Sequence, residues 1–248
     1  PILVLLHGWG CSWEIFAPIV GELSREFQLI LPDLPGFGQS ALPGLNDQGF
    51  AWDSHDYLKW LKDFLRQTVS NKNFVIGGHS FGGKVAALLA HQNTTTAEFK
   101  LQGLILIDSA GLPSPLALQE QFSYVLSSFI PGFLKRVVPS QLKNRLLAAA
   151  NIATDYQAAQ PELRAVLRRI VREDLRDELS QITLPSLVCW GSLDATTPLH
   201  QGREMTKLIH NAQLVEFDQS QHYPFADQPA KFIGTVSNFV AALNQTQT

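Results

Sequence analysis

Short continuous runs of apolar residues recur along the chain and alternate with segments in which apolar residues repeat every three or four positions. The runs predict six strands, at Ile2–Leu6, Gln28–Leu31, Phe74–Gly77, Leu104–Ile107, Ser186–Trp190 and Gln213–Phe217. The segments between them predict helices at about 13–25, 53–69, 81–92, 199–209 and 229–243. Because continuous apolar runs are typical of strands buried on both faces, we expect an α/β fold, a mostly parallel sheet with helices on both faces.

The segment from 113 to 180 breaks this alternation, since it contains no convincing strand and its pattern is helical. An insertion of about 70 residues is far longer than an ordinary loop, and long loops are usually functional, often as lids. Ligands bind at the carboxyl edge of parallel sheets, where this insertion begins. We therefore expect a helical cap at 113–180 on an α/β-hydrolase-like core formed by 1–112 and 181–248.

The composition narrows the class of protein. Of the 248 residues, 45% are hydrophobic and 17% are charged, which excludes a disordered chain. The net charge of −3 indicates no nucleic-acid partner, and no apolar stretch reaches the length of a membrane span. The two cysteines, Cys11 and Cys189, do not suggest a disulfide framework, so a reducing, cytoplasmic location is expected.

The segment Gly78–Gly82, with the sequence GHSFG, lies between an apolar run and a helical pattern. A serine in so sharp a turn needs small residues two positions away on either side, because the two arms of the turn pass close together. This arrangement in its strand–turn–helix setting is typical of a nucleophile elbow, which lifts the hydroxyl above the sheet edge. Ser80 is therefore the predicted catalytic nucleophile.

A serine hydroxyl needs a neighbouring base, and the base needs an acid that orients it. His222 follows the last predicted strand in a short loop, so we expect it at the same sheet edge as Ser80. Asp194, which follows the preceding strand, is the preferred acid. Asp108, at the end of the strand before the insertion, is one alternative. Asp218 is the other, but its loop is too short to place it naturally beneath the histidine ring.

A tetrahedral intermediate also needs N–H donors for its oxyanion. We expect one from Phe81, directly after the nucleophile, and the other from Trp9, in the glycine-containing loop after the first strand. His7 and His79 are interpreted as hydrogen-bonding residues around the site rather than as bases.

With these residues the chain resembles the α/β-hydrolase superfamily over essentially its whole length. The resemblance rests on the elbow and on four further segments: HGWG at 7–10, DLPGFGQS at 33–40, GSLDATTP at 191–198 and QHY at 221–223. It implies a carboxylesterase-like serine hydrolase that needs no metal or organic cofactor, and structural rather than chemical roles for Asp33 and Ser40. The HGWG segment is also similar to that of the pimeloyl-carrier-protein methyl ester esterases.

The resemblance leaves other activities open beside ester hydrolysis. The same serine apparatus serves carbon–carbon bond hydrolases and hydrolases of carrier-protein esters or thioesters. Some proteins of this fold instead bind a small ligand as receptors, with little turnover.

Apolar residues of the insertion and of nearby loops predict a pocket for the apolar acyl or aromatic part of a small-molecule ester. The expected pocket residues are Trp9, Trp13, Phe81, Phe122, Phe129 and Tyr223. Arginines recur every four residues late in the insertion, which predicts one helical stripe: Arg164, Arg168, Arg172 and Arg176. A solvated, salt-bridged face is the simpler interpretation of this stripe, and a dock for an acidic carrier protein at the cap is the alternative.

Overall fold

The computed structural model describes residues 1–113 and 160–245. Within them, six strands form one sheet in the order β2-β1-β3-β4-β5-β6, and each neighbouring pair is parallel. The strands are β1 (Ile2–Leu6), β2 (Gln28–Ile30), β3 (Phe74–His79), β4 (Leu101–Ile107), β5 (Ser186–Gly191) and β6 (Ala212–Phe217). The predicted parallel α/β architecture is therefore confirmed.

The helices of the described residues follow the predicted positions closely. They are α1 (Ala17–Leu23, preceded by a 3₁₀ turn at Trp13–Phe16), α2 (Ser54–Thr68), α3 (Phe81–Thr96), α4 (Pro161–Ile170), α5 (Arg176–Ser180), α6 (Leu199–Leu208), α7 (Pro224–Asp227) and α8 (Pro229–Gln245). Helix α2 begins where Asp53 caps the N–H groups of the first turn, and Asp56 caps Asp53 in return. None of the described helices is long and apolar enough to cross a membrane.

Helices lie on both faces of the sheet, which explains why the strands are apolar without interruption. In β1, Val4 and Leu6 belong to a hydrophobic cluster that includes residues of α2, α3, α4 and α6. Leu3 and Leu5 belong to a second cluster, with residues of α1 and α8. Burial on both faces leaves the carboxyl edge of the sheet as the place where polar side chains can gather.

The described part of the expected insertion is helical, but α4 does not stand apart from the core. Its buried residues Leu163, Val166, Leu167 and Ile170 belong to the same hydrophobic cluster as α2 and α3. The segment that leads into β5 is therefore packed against the sheet domain along the face that carries the elbow.

Candidate active site

Ser80 lies in the turn between β3 and α3, with φ +51° and ψ −115°, a conformation that residues with a side chain rarely adopt. Glycines make the turn possible, since a Cβ on Gly78 would lie 2.2 Å from the backbone of Gly82. The end of β4 fixes the turn: Ser80 N–H donates to Ile107 O at 2.9 Å, and Ala110 N–H donates to Ser80 O at 3.0 Å. The predicted strand–turn–helix setting of the elbow is present.

His222 and Asp194 form a hydrogen-bonded pair at the same edge of the sheet. His222 Nδ1 lies 2.7 Å from Asp194 Oδ2, and the Asp194 side chain is completely buried. The His222 ring packs against that of His79, the neighbour of Ser80, with centroids 4.6 Å apart. Because an ionised carboxylate only accepts hydrogen bonds, Nδ1 carries the proton of the neutral ring and Nε2 is its proton acceptor. Within the described residues, Ser80 Oγ itself makes no hydrogen bond.

A tight turn after β5 holds the Asp194 carboxylate. Its Oδ1 accepts from the N–H groups of Thr196 and Thr197, at 2.7 and 3.1 Å, and its Oδ2 accepts from the Thr197 hydroxyl at 2.6 Å. Burial acts to raise the pKa of Asp194, but the charge and the hydrogen bond of His222, together with other donors, hold that pKa below its usual value. Thr197 was not among the residues predicted from the sequence, although a threonine three residues after an aspartate, in an Asx-type turn, is a usable signal.

The loops that carry Asp194 and His222 are fastened to each other through their backbones. Leu193 N–H donates to Ser220 O at 2.8 Å. A Cβ on Gly191 would lie 1.9 Å from Gln221 O, so the loops reach this distance only because residue 191 is glycine. Asp227 Oδ2 in turn accepts from Ser220 Oγ and Gln221 N–H, at 2.7 and 2.9 Å, which fixes the chain just before the histidine.

Neither alternative acid is recorded in a hydrogen bond to the His222 ring among the described residues. Asp218 is at the surface, where its Oδ1 accepts from the side chains of Ser192 and Gln219 at 3.5 and 3.4 Å. Asp108 is completely buried behind Asp194 and accepts from Gly191 N–H at 2.9 Å. Among the described residues, the carboxyl group that is hydrogen-bonded to the His222 ring is that of Asp194.

Trp9 and Phe81 lie on either side of the space in front of Ser80. Their rings are 5.7 Å apart in a T-shaped arrangement, and both line the cavity that contains Ser80. Phe81 is the first residue of α3, so its N–H has no acceptor within the helix. A Cβ on Gly8 would lie 2.8 Å from His79 Nδ1, so glycine allows the loop that carries Trp9 to approach the elbow.

Contacts around this loop show the structural roles of two polar residues. His7 Nε2 accepts from Leu34 N–H at 2.9 Å, and burial lowers the pKa of His7, which keeps the ring neutral. Asp33 accepts from the N–H groups of Trp13 and Gln39, at 2.8 and 2.9 Å. Both side chains therefore hold the turns next to the elbow, as the sequence analysis expected.

The cavity beside Ser80 is bounded mainly by apolar side chains of the core and of α4. The residues that line it besides Trp9 and Phe81 include Ala110, Gly111, Leu112, Leu167, Ile170, Val171, Thr196, Thr197 and Gln201. Lys84, which the sequence analysis did not single out, also lines the cavity one helical turn after Ser80, although it is only 3% exposed.

The other expected pocket residues are placed differently. Trp13 and Tyr223 lie at the surface, 37% and 39% exposed, and are not among the described residues that line the cavity. Phe122 and Phe129 lie outside the described residues.

The prediction of one arginine stripe was wrong. Helix α4 ends at Ile170 and α5 begins at Arg176, so the four arginines are not on one helix. Between the two helices, the Glu173 carboxylate lies 3.2 Å from Lys84 Nζ. Arg176 instead forms ion pairs with Asp174 and Glu204, at 2.5 and 2.8 Å.

Comparison with known proteins gives the same assignment as the geometry. A family model described as the alpha/beta hydrolase family matches residues 3–235. The pimeloyl-[acyl-carrier protein] methyl ester esterase of Legionella pneumophila (strain Paris) is 30% identical over 250 residues, which cover 96% of this chain and 94% of that protein. The enzyme of the same name from Aliivibrio salmonicida is 28% identical over 255 residues, covering 96% of this chain and 91% of that protein.

Among solved structures, a thermophilic esterase from Thermogutta terrifontis matches with a TM-score of 0.71 and 26% identity, covering 98% of this chain and 90% of that one. The family match spans nearly the whole chain, and these relatives are esterases. The chain therefore belongs to the alpha/beta hydrolase family, among its ester-cleaving hydrolases.

Proposed function

We propose that the protein is a serine hydrolase that cleaves a carboxylic ester through an acyl-enzyme intermediate. In this proposal Ser80 is the nucleophile, His222 is the general base and acid, and Asp194 orients the imidazole. The observation that carries the proposal is the 2.7 Å hydrogen bond between Asp194 and His222, beside a serine held in a strained elbow. These three side chains occur in the order serine, acid, histidine, which is the order of this fold.

The reaction begins when Ser80 Oγ attacks the ester carbonyl carbon and its proton passes to His222 Nε2. The tetrahedral intermediate collapses as that proton moves to the leaving alcohol, which leaves an acyl group on Ser80. Water then attacks the acyl carbon, gives its proton to Nε2, and releases the acid as Ser80 regains its hydrogen. A Ser80–His222 hydrogen bond is expected to form on substrate binding, since such contacts are often long or poorly aligned in ligand-free enzymes.

The N–H groups of Phe81 and Trp9 are proposed to bind the oxyanion. The Phe81 N–H is at the positive end of α3 and lacks an intrahelical acceptor, which suits it to stabilise negative charge. The glycine loop brings the Trp9 backbone against the elbow. Loss of one such donor typically raises the barrier by about 3 kcal/mol.

The test of the nucleophile is the variant Ser80→Ala, which should lower turnover of a p-nitrophenyl ester roughly 10⁶-fold while the protein stays folded. The wild-type protein should react rapidly with a fluorophosphonate probe, and the variant should not. Retained turnover in Ser80→Ala would contradict the assignment. A wild-type protein that binds a ligand but resists the probe would favour a non-catalytic receptor instead.

The cavity supports an apolar acyl or aromatic substituent, because its lining is mainly apolar and includes two aromatic rings. A panel of esters of increasing acyl length, with a vinylogous diketone acid added, separates ester hydrolysis from carbon–carbon bond hydrolysis. Preference for the diketone acid over every ester would favour the carbon–carbon alternative.

A carrier-protein ester is the second candidate substrate, and the names of the two curated relatives described above favour it. The charge of the insertion points the same way. Residues 111–180 hold nine Lys and Arg against seven Asp and Glu, in a chain whose net charge is −3. Arg168 and Arg172 are both exposed and lie in the described part of this segment. A basic patch of this kind is suited to an acidic carrier protein.

The double variant Arg168→Glu/Arg172→Glu tests carrier docking. It should raise KM for a carrier-linked ester about tenfold through like-charge repulsion and leave turnover of a free small ester unchanged. Arg25→Glu is the matched control, because Arg25 is exposed and follows α1, on the opposite face of the sheet. Equal losses on both substrates would reject docking at this patch.

A further inference from the structure

Asp108 is a buried carboxyl group that the proposed reaction does not use. It follows β4 directly, has no exposed surface, and adopts a φ of +40°, a strained value for a residue with a side chain. Residues held in strained conformations persist where the surrounding structure determines them, and they cluster at functional sites. Here the backbone is fixed by the hydrogen bond from Asp108 N–H to Cys189 O, at 3.0 Å. The side chain is thereby turned toward the acid of the catalytic pair.

The two oxygens of Asp108 have different surroundings. Oδ1 accepts from Gly191 N–H at 2.9 Å. Oδ2 is buried and meets no hydrogen-bond donor among the described residues, yet it faces the carboxylate of Asp194. One ligand atom each of Asp108, Asp194 and His222 lie within 4.8 Å of one another. Two buried carboxyl groups this close do not both ionise, so a proton must be shared between them.

The donors decide which carboxyl group keeps that proton. Asp194 accepts from Thr196, from Thr197 and from His222, all of which stabilise its ionised form. Among the described residues, the Asp108 carboxyl group accepts from one donor, the Gly191 N–H. Burial, followed by the charge of Asp194, raises the pKa of Asp108 well above its usual value, whereas that of Asp194 lies below its usual value.

We propose that Asp108 is a positioning residue, an un-ionised carboxylic acid whose Oδ2–H donates to the Asp194 carboxylate and holds the Asp194–His222 pair against the end of β4. Its effect on catalysis rests on the proposed function, because it acts through Asp194. Asp108 does not touch the substrate. It keeps a second negative charge away from the imidazole while adding a donor that keeps Asp194 ionised and aligned.

Two variants whose side chains branch at Cγ, as that of aspartate does, separate this role from the alternatives. In Asp108→Asn, the amide oxygen still accepts from Gly191 N–H and the amide N–H still donates to Asp194, so kcat/KM should stay within about threefold of the wild type. Asp108→Leu loses both contacts, and kcat should fall about ten- to hundredfold with KM little changed. Equal losses in the two variants would overturn the proposal.

The pH profile of kcat/KM shows whether the Asp108 carboxyl group is charged. The titratable groups around Asp108 are Asp194, His222, Asp227 and Cys189, and none of them is altered in Asp108→Asn. If Asp108 is neutral, Asp108→Asn should leave the acidic limb of the kcat/KM profile in place within about 0.2 pH units. Removal of an ionised neighbour this close to the imidazole would move the limb to lower pH by about one unit or more, which would overturn the proposal.

Infrared spectroscopy needs no turnover, so it tests the protonation of Asp108 separately from the role of Ser80. The infrared spectrum of the wild-type protein at neutral pH should contain the carbonyl stretch of an un-ionised carboxylic acid, and Asp108→Asn should lack it. The same band should persist in Ser80→Ala. If Ser80→Ala retained turnover, the catalytic assignment would fail while the infrared result still decided the protonation of Asp108. Absence of the band in the wild type would overturn the proposal.

Discussion

Lys84 Nζ lies 3.2 Å from Glu173 Oε2, in an ion pair that joins α3 to the chain between α4 and α5. Lys84 also donates to Ile170 O at 2.5 Å, and Ser54 N–H donates to Glu173 Oε1 at 3.0 Å. The side chains of Lys84 and Glu173 are 4% and 20% exposed, and burial lowers the pKa of Lys84. The pair fastens the end of α4 to the first turns of α2 and α3, next to the cavity.

Removing Glu173 should be more damaging than removing Lys84. Glu173→Ala leaves a buried ammonium without its counter-charge and should lower the free energy of unfolding by about 3 kcal/mol. Lys84→Met removes the more deeply buried charge and keeps an apolar chain of similar length, so its loss should be smaller. Urea denaturation of both variants and of the double variant measures the coupling. Strictly additive losses would show that the two side chains do not interact.

Gly191→Ala should disturb the acid and base loops together. The new Cβ would lie 1.9 Å from Gln221 O, so one backbone must move, and we expect a loss of about 2–3 kcal/mol in unfolding free energy with lower kcat. Gly234→Ala is the control, because Gly234 lies within α8 and, apart from the adjacent residues of its own helix, no described residue has a heavy atom within 4 Å of an added Cβ. That change should stabilise the protein by about 0.5–1 kcal/mol. Similar thermal unfolding of the two variants would contradict the close approach of the loops.

Thr197→Val should weaken the acid of the catalytic pair without removing it. The hydroxyl that lies 2.6 Å from Asp194 Oδ2 is lost, while the backbone N–H donor of residue 197 remains. Because a hydrogen bond to a charged group contributes about 1.5–3 kcal/mol, we expect kcat/KM for a small ester to fall about tenfold or more. Thr197→Ser retains the hydroxyl and should stay close to the wild type. A normal rate in the valine variant would rule out this contribution.

The stability of Asp108→Asn relative to the wild type should change with pH. The raised pKa of Asp108 means that the folded state keeps a proton that the unfolded chain releases above a pKa near 3.8. Its contribution to stability is therefore present below that value and is lost as the pH rises toward the folded-state pKa.

Asparagine does not titrate, so the variant should gain stability over the wild type as the pH rises above about 4 toward the folded-state pKa of Asp108, by at most about 1.4 kcal/mol per pH unit. Urea denaturation of both proteins across this range measures the difference. A constant difference would mean that Asp108 ionises equally in the folded and unfolded states.

The strands and the elbow were predictable because they depend on residues close together in the chain. Continuous apolar runs identified all six described strands, and the glycines around Ser80 identified the turn. Strand β3 extends two residues beyond its predicted end because its pairing with β4 continues as far as His79, which no local pattern reveals.

The arginine prediction failed because it used spacing alone. A period of four residues is compatible with one helix. In the structure, however, α4 ends at Ile170, and Glu173, which follows it, forms an ion pair with Lys84. Lys84 and Glu173 are 89 positions apart in the sequence. Helical periodicity therefore carries no information about the free energy of their pairing.

The sequence by itself determined the parallel α/β architecture, the glycine-flanked turn that carries Ser80 and the sheet edge at which Asp194 and His222 lie, since these follow from hydrophobic periodicity and from glycine in a tight turn. Only the tertiary structure decided that Asp194 pairs with His222 while Asp108 is buried behind it, and that Lys84 is paired with Glu173 inside the protein. The reason is that distance, burial and the number of donors set the charge of a carboxyl or amino group, and these arise only when distant segments are packed together.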